Sequence, residues 1–288
     1  MEDFSPIVAS ARRPVEIPHD SHLKDHCFEG RAVLPAVEAT EILARAAIGF
    51  RPGTGVTAMA GLRFDKFLYL DTRMQTTAAF CDVALNANGA VRAALATRTQ
   101  VKPASMTRLK EHAAGLFFSP EASRPSAIPG PPPDTASALA EVGDTIEADS
   151  IYPDLVPFGP AYRNLTRLRL GAAGVVADIR TPVEPAGGNS SGRRLGSPFA
   201  LDAALQAACV WGRRFADIFA FPVGIDRRRI FRRTGPGNSY VGHVYPVRVE
   251  PPLLVFDLWI VDAAGRLCET ASGVRMRAVK RGWVKTDR

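Results

Sequence analysis

The sequence contains few cysteines, and they lie far apart. Four of its 288 residues are cysteines, and no two of them form a Cys-x-x-Cys pair. Disulfide frameworks and most zinc sites need cysteines that are more numerous or closely spaced. The pattern therefore indicates isolated reduced thiols, at Cys27, Cys81, Cys209 and Cys268.

Long hydrophobic runs are also absent. No apolar stretch of the sequence reaches the roughly 18 residues that a membrane-spanning helix requires, and the polar segment 1–13 lacks the apolar core of a secretory signal. Hydrophobic residues make up 46% of the chain and charged residues 23%, which is typical of soluble globular proteins. We therefore expect a cytoplasmic protein without a membrane span.

The sequence is basic, but its charge lacks the arrangement that is typical of nucleic-acid-binding proteins. The net charge of +7 is carried mostly by arginines, which are scattered except at residues 227–229 and 232–233. No basic stripe is interleaved with aromatic residues, so nucleic acid is not the expected partner. An anionic membrane surface or an acidic protein is compatible with the charge.

The two halves of the chain have a similar order of predicted elements. Residues 1–118 contain an extended lead-in over residues 1–20, a predicted helix at 36–48 and several strands; residues 146–288 contain a second helix at 199–219 and further strands. The segment between them, 119–145, has the proline-rich composition of a linker. One helix with several antiparallel strands in each half predicts a duplicated α+β fold. The predicted strands span residues 61–70, 75–85, 90–101 and 112–118, then 165–179 as a hairpin, 239–249, 253–261 and 267–279.

A histidine stands just before the first predicted helix. His26 is followed after three residues by Gly30 and after four more by Pro35. Gly30 permits a tight turn because it has no Cβ, and Pro35 fixes φ where the chain enters the helix. An imidazole held there can act as a general base, and N–H groups at the helix N-terminus can bind an anionic oxygen. A structural or surface role is the alternative for a lone histidine.

A carboxylate and an amide lie four residues apart in the second predicted helix, which has Ser197 as candidate N-cap and Pro198 at its first position. Asp202 and Gln206 therefore share one face. An aspartate in the first turn can simply favour the helix dipole. On so apolar a helix, however, burial would raise the pKa of the carboxyl group and keep it protonated, while the amide orients it. The pair is a candidate general acid with its orienting partner.

These two groups of residues resemble a known family. His26-x3-Gly30-x4-Pro35, followed in the second half by Asp202-x3-Gln206, is similar to the dehydratase domains of polyketide synthases and related multifunctional fatty acid synthases.

Three further segments occur in the order of that family. Phe158-Gly159-Pro160-Ala161-Tyr162 resembles its Tyr-Gly-Pro-x-Phe motif, residues 222–226 resemble the segment after its second helix, and residues 257–273 resemble its closing hairpin. The resemblance extends over about residues 15–280.

The resemblance implies a double hotdog fold, in which two antiparallel sheets are each wrapped around a central helix. It implies that His26 removes the α-proton of a 3-hydroxyacyl thioester, that Asp202 protonates the departing β-hydroxyl group, and that Gln206 holds Asp202. The products would be water and a 2-enoyl thioester, in polyketide or fatty acid biosynthesis. N–H groups near Gly30 or Gly159 would bind the thioester oxygen. The residues expected to shape the site or contact the substrate are Gly30, Pro35, Phe158, Gly159, Pro160 and Tyr162.

The same resemblance implies the partners. The acyl chain would be carried on the phosphopantetheine arm of an acyl carrier protein, and neither a metal nor a redox cofactor is expected. Because carrier proteins are typically acidic, the arginine cluster of residues 227–233 is a candidate surface for the carrier or for the phosphate of its arm; a solvated surface loop is the alternative. Other synthase domains or subunits, and a second copy of this chain, are further candidate partners.

Phe158 departs from the family pattern, because a tyrosine usually stands at this position. The tyrosine hydroxyl group is therefore missing, and Tyr152 and Tyr162 are candidates to replace it.

Other functions remain open. They are a template domain that guides cyclisation of a polyketide, a hydratase or isomerase for acyl thioesters, and a non-catalytic double-hotdog scaffold. Gln206 favours the dehydratase over the template, and the presence of both His26 and Asp202 argues against a scaffold. A metal site is disfavoured because the spacing of its candidate ligands matches no common zinc pattern: His19, His22, Asp25 and His26.

Overall fold

The computed structural model describes residues 5–101, 106–118, 144–154, 156, 158–183 and 192–278. Of the predicted linker, residues 119–143 lie outside these ranges. The first half of the described chain forms β1 (Ile7–Pro18), β2 (Cys27–Phe28), β3 (Arg31–Ala32), α1 (Ala36–Phe50), β4 (Ala58–Arg63), β5 (Thr76–Asn86), β6 (Val91–Val101) and β7 (Met106–Phe117). The second half forms β8 (Asp144–Glu147), α2 (Ala148–Asp154), β9 (Leu165–Gly171), β10 (Gly174–Arg180), α3 (Phe199–Ala216), β11 (Ala220–Ile230), β12 (Ser239–Glu250), β13 (Leu253–Asp262) and β14 (Leu267–Ala278).

Each half is built around one helix. α1 packs against β5, β6 and β7, and α3 packs against the strands from β9 to β13. Residues 199–212 of α3 are all buried, since small and apolar side chains let the strands approach the helix from every side. The first turns of α1 are buried on every side, at residues 37–41, and its later turns bury one face with Leu43, Ala44 and Ala47. The two helices also contact each other, so the centres of the halves meet.

Twelve of the described strands form one continuous sheet, in the order β1-β5-β6-β7-β4-β11-β14-β13-β12-β10-β9-β8, and β2 and β3 form a separate hairpin. Neighbouring strands are antiparallel. The halves are joined where β4 pairs with β11, from Arg63 opposite Gly224 to Ala58 opposite Arg229. The expectation of two separate sheets is therefore corrected. Pairing β4 with β11 satisfies backbone groups that two isolated edges would leave open.

Several strands differ from the sequence prediction. β11 was not predicted, β7 begins six residues before the predicted start at His112, and β8 begins within the predicted linker. The segment predicted as an extended lead-in contains β1, which pairs with β5. β1 is an edge strand, where its prolines are tolerated because one side of the strand needs no partner. The strand predicted over residues 61–70 is shorter, since β4 ends at Arg63.

The helices begin or end slightly differently than predicted. α1 extends to Phe50, two residues further than expected. α3 ends at Ala216 because Asp217 takes a left-handed conformation with φ 51°, and the Ile218 N–H then donates to the Gly212 carbonyl. The N-cap of α3 is Pro198, and the predicted cap Ser197 instead exchanges hydrogen bonds with Thr234.

The structure bears on two predictions, the state of the cysteines and the lack of a membrane-spanning helix. All four cysteines fall within the described residues and are free thiols, three of them buried. Among the described helices, none has both the length and the apolar composition that a bilayer crossing would need.

The arginine cluster of residues 227–233 is only partly a surface feature. Residues 227–230 belong to β11, which turns Arg228 inward and leaves Arg227 exposed. Arg228 is 4% exposed, and its Nε donates to the Glu269 carboxylate of β14 at 2.5 Å. The expectation that the whole cluster faces a carrier protein is corrected, because the charge of Arg228 is neutralised inside the protein.

This buried ion pair should matter for stability. In Glu269→Gln, Arg228 keeps its charge but loses its counter-charge, and we expect the free energy of unfolding to fall by about 3–5 kcal/mol. Glu147→Gln is the control, since the pair between Glu147 and Arg167 is exposed and should change stability by less than about 1 kcal/mol. Urea unfolding measures both. Equal effects of the two substitutions would contradict the prediction.

Candidate active site

His26 is held between a 3₁₀ turn, Ser21–Asp25, and the β2–β3 hairpin. The hairpin turns at Glu29 and Gly30, with φ 48° and 71°, as in a type I′ turn. The chain thereby returns so that the His26 Nδ1–H donates to the Val33 carbonyl oxygen at 3.0 Å. Because a carbonyl can only accept, the neutral ring carries its proton on Nδ1 and keeps the lone pair on Nε2.

Aromatic rings surround the His26 imidazole. Its ring centroid lies 4.4 Å from that of Phe158 and 5.1 Å from that of Tyr162. Burial lowers the pKa of His26 to about 4, although the hydrogen bond to the Val33 carbonyl opposes this shift. His26 is therefore neutral at pH 7, in the form that accepts a proton.

Asp202 lies in the first turn of α3 and is 5% exposed. Gln206, one turn later, donates from Nε2 to the Asp202 Oδ2 at 2.7 Å. Burial raises the pKa of Asp202 from 3.8 to about 7, while the Gln206 bond opposes the rise and the charge of Glu38 adds to it. Near neutral pH, a substantial fraction of this carboxyl group is therefore protonated and can donate a proton.

Both groups line one pocket between the halves. The pocket encloses about 880 Å³, open solvent at its mouth included. Its polar lining includes His26, Asp202 and Gln206, and most of the remainder is apolar, with Phe64 and Phe221 among the aromatic residues. Such a pocket suits an elongated apolar ligand with one reactive polar centre.

The residue before His26 connects the two halves. The Asp25 carbonyl accepts the Gly159 N–H at 2.8 Å, and its carboxylate Oδ2 accepts the Ala161 N–H at 2.8 Å. Gly159 is required for this approach, because a Cβ there would overlap the Asp25 carboxylate. This role of Asp25 was not predicted, because its one signal in the sequence is its place directly before His26.

Two buried carboxylates of α1 make a second connection between the halves. Glu38 accepts both Nη groups of Arg193 at 2.8 and 2.9 Å, and it also contacts His22 Nε2 at 3.2 Å. Glu41 accepts the backbone N–H groups of Arg194 and Leu195 at 2.8 and 3.0 Å. The segment that leads into α3 is therefore fastened to α1. None of these contacts could be identified from sequence spacing.

The remaining predicted site residues shape the surroundings of the pocket. Phe158 lines it directly. Gly30 forms the hairpin turn, and Pro35 is the N-cap of α1. Pro160 begins the 3₁₀ turn Pro160–Tyr162. The Gly159 N–H donates to Asp25, so this group is not available for a thioester oxygen, and that part of the expectation is corrected.

The two tyrosines that were candidates to replace the missing hydroxyl group have different surroundings. The Tyr152 hydroxyl donates to the Gln206 Oε1 at 3.2 Å and accepts the Leu165 N–H at 2.6 Å. The Tyr162 hydroxyl is buried without a hydrogen-bond partner, and its backbone carbonyl accepts a Gln206 N–H at 2.9 Å. Neither tyrosine lines the pocket.

The four residues considered as metal ligands have separate partners. His19 bonds to the Met74 carbonyl and the Thr77 hydroxyl. His22 bonds to Glu38, and the Asp25 carboxylate accepts the Ala161 N–H. Within the described ranges, no cluster of three or more potential ligands is suited to a metal ion.

Comparison with known proteins identifies the family of the chain. A family model described as the polyketide synthase dehydratase N-terminal domain matches residues 130–285, which is more than half of the chain. The chain belongs to the polyketide synthase dehydratase family. The predicted resemblance to polyketide synthase dehydratase domains is confirmed by this membership.

Individual relatives are distant. The chain is 25% identical over 224 residues to a polyunsaturated fatty acid synthase subunit of Thraustochytrium sp. (strain ATCC 26185 / S-3), covering 75% of this chain and 8% of that protein. Among solved structures, the dehydratase domain from the CurF module of Curacin polyketide synthase gives a TM-score of 0.76 at 17% identity, covering 96% of this chain and 97% of the other.

The dehydratase domain from the CurK module of the same synthase gives a TM-score of 0.73 at 18% identity, covering 96% of this chain and 95% of the other. Inactive variants of that domain have also been solved, one with a histidine replaced by phenylalanine and one with an aspartate replaced by asparagine. At these identities the likeness establishes the fold, and the expected hotdog-type packing of antiparallel strands around a helix in each half is confirmed.

The contact between Asp25 and Gly159 leads to a prediction. In Gly159→Ala, the new methyl group would displace the Asp25 carboxylate and with it the neighbouring His26. We expect a loss of about 1–3 kcal/mol in the free energy of unfolding and a lower dehydration rate.

Gly49→Ala is the matched control. A Cβ at Gly49 meets nothing closer than an Arg13 nitrogen at 3.7 Å, and alanine favours the helix by about 0.5–1 kcal/mol. Urea unfolding of both variants tests the argument, and a Gly159→Ala protein as stable as wild type would refute it.

Proposed function

We propose that this chain removes water from a 3-hydroxyacyl thioester through His26 and Asp202. The observation that carries the proposal is that one pocket contains an unprotonated base and a carboxyl group that can be protonated near neutral pH. His26 is neutral with a free lone pair, while a substantial fraction of Asp202 is protonated near neutral pH. An elimination needs this combination, a base for the α-proton and an acid for the leaving hydroxyl group.

His26 acts first in this scheme. Its Nε2 accepts the proton from Cα of the substrate, and the electron pair of the broken C–H bond forms the Cα–Cβ double bond. The Val33 carbonyl keeps Nδ1 protonated throughout and stabilises the imidazolium ion that results. The N-terminus of α1 borders the pocket at Ala36, where helix N–H groups would favour negative charge on the thioester oxygen.

Asp202 completes the reaction. Its carboxyl group donates a proton to the β-hydroxyl group as the C–O bond breaks, so that water leaves and a 2-enoyl thioester remains. Gln206 stabilises the carboxylate that this transfer produces. Because Phe158 has no hydroxyl group, the protonation of the leaving group rests on Asp202. The inactive histidine and aspartate variants of the CurK dehydratase support these two roles.

The acyl group would arrive on the phosphopantetheine arm of an acyl carrier protein, in polyketide or fatty acid biosynthesis. The apolar pocket suits an acyl chain, and Lys66, exposed and among the lining residues, offers a cation to the phosphate of the arm. Arg227, Arg232 and Arg233 remain exposed for an acidic carrier. The scheme uses no metal and no redox cofactor. Other synthase domains and a second copy of the chain complete the proposed partners.

The proposal also assigns the base to the first half of the chain and the acid to the second half. Residues 1–118, with β1 to β7 and α1, would form the hotdog unit that carries the base. Residues 146–288, with the second half of β8 and all of α2, α3 and β9 to β14, would form the unit that carries the acid. The packing of one long helix in each unit supports this division.

The reaction can be tested directly. The protein is incubated with 3-hydroxyacyl thioesters of short and long chain on a carrier protein or pantetheine, and loss of water is followed by mass. We expect His26→Ala and Asp202→Asn each to lose at least about 100-fold in rate.

His19→Ala and Asp178→Asn are controls for the same residue types outside the pocket, and we expect them to stay within about threefold of wild type. Undiminished turnover in either site variant would refute the assignment. A folded wild-type protein that converts none of the substrates would contradict the proposed reaction and favour a template or scaffold role.

The pH dependence gives a second test. His26 works as a base only when unprotonated, so the rate should fall as the pH drops through about 4. Asp202 works as an acid only when protonated, so the rate should fall as the pH rises through about 7. We expect kcat/KM to follow a bell between these limits. A rate that keeps rising from pH 7 to pH 9 would exclude Asp202 as the acid.

A further inference from the structure

Gln206 is held by more contacts than its bond to Asp202. Its Nε2 donates one hydrogen to the Asp202 Oδ2 at 2.7 Å and the other to the Tyr162 carbonyl at 2.9 Å. Its Oε1 accepts from the Tyr152 hydroxyl at 3.2 Å. Both hydrogens of the amide donate and its oxygen accepts. This network therefore fixes which end of the Gln206 amide is the nitrogen and which is the oxygen.

Tyr152 is itself fixed in its role as a donor. The backbone N–H of Leu165 donates to its hydroxyl oxygen at 2.6 Å. The hydroxyl hydrogen then remains for the Gln206 oxygen, and the tyrosine is 4% exposed, so water does not compete for it. The tyrosine comes from α2 and the N–H from the start of β9, two elements outside the helix that carries the acid.

We propose that Tyr152 is a positioning residue for the acid: it holds the Gln206 amide in the orientation in which one amide N–H donates to Asp202. This inference rests on the proposed function of Asp202. Tyr152 does not line the pocket, so it acts through Gln206 and does not replace the hydroxyl group that is missing at Phe158. With Tyr152 in place, Asp202 Oδ2 is occupied by the amide, and the other carboxyl oxygen is left to transfer the proton.

The structure offers a matched control. Tyr240 is also buried, at 5% exposure, and its hydroxyl oxygen also accepts a backbone N–H, from Gly235 at 2.7 Å. Tyr152→Phe and Tyr240→Phe therefore lose the same kind of backbone bond and should lose similar stability. Only Tyr152→Phe also loses the bond to Gln206.

The kinetic test compares these variants with wild type on the 3-hydroxyacyl thioester assay. We expect Tyr152→Phe to lower kcat about fivefold, as for one lost hydrogen bond, with KM unchanged within about twofold. Tyr240→Phe should keep kcat within about twofold. In a Gln206→Leu background, adding Tyr152→Phe should have no further effect, because the two residues act as one unit.

Equal kcat values for Tyr152→Phe and Tyr240→Phe would overturn the inference. So would the same fivefold loss in the Gln206→Leu background, which would show that Tyr152 does not act through the amide. An inactive wild type, by contrast, contradicts the proposed function and not the positioning role, which is then decided by a second measurement.

That second measurement is the titration of the Asp202 carboxyl carbon by NMR. In Tyr152→Phe, the amide is less firmly held and its bond to the carboxylate weakens, so the Asp202 pKa should rise above its wild-type value. In Tyr240→Phe it should stay unchanged. The other groups around Asp202 are Glu38 on α1, His26 in the same pocket, Tyr162 and Gln206 itself. They are identical in both variants. An unshifted Asp202 titration in Tyr152→Phe overturns the inference whether or not the protein turns over substrate.

Discussion

The contact between Asp25 and the Gly159–Ala161 backbone is the constraint on which the site depends. One residue accepts hydrogen bonds from two N–H groups of the other half, through its carbonyl and its carboxylate. Since His26 follows directly in the chain, the base is positioned relative to the second half with almost no intervening freedom. The absence of a side chain at Gly159 permits this approach. A second connection, from Glu38 and Glu41 to residues 193–195, holds the segment that leads to the acid.

Desolvation shifts the pKa values of both His26 and Asp202. The same physical effect, removal of water, lowers the pKa of His26 and raises that of Asp202, because in each case it disfavours the charged form. His26 is therefore neutral, and Asp202 is partly neutral, near pH 7 in one pocket; the proposed elimination would start from this state. The surrounding phenylalanines contribute to this effect as well as to packing. Phe158, whose ring lies against His26, helps to keep water from the base.

Other buried charged groups have charged partners. Glu38 is as buried as Asp202, and burial by itself would raise its pKa, but hydrogen bonds from His22 and Arg193 lower it to about 2. Arg228 and Glu269 neutralise each other within the sheet. Asp202 differs from these groups because its direct partner is an uncharged amide. That difference in partner, more than burial, determines which buried carboxyl group can release and regain a proton near neutral pH.

The sequence alone predicted both long helices and most of the strands, and its resemblance to the dehydratase family made His26 and Asp202 the candidate base and acid. Helix composition and turn residues are local properties, and they indicated α1 and α3. The pairing of His26 with Asp202 and Gln206 came from the resemblance to the dehydratase family. Only the tertiary structure decided that β4 and β11 join the sheet across the halves, that Arg228 is buried, and that the Gly159 N–H is used by Asp25. These features depend on contacts between residues that are far apart in the chain, as Asp25 is from Gly159 and Tyr152 is from Gln206. Local sequence does not encode such distances, because they are set by how the two halves pack.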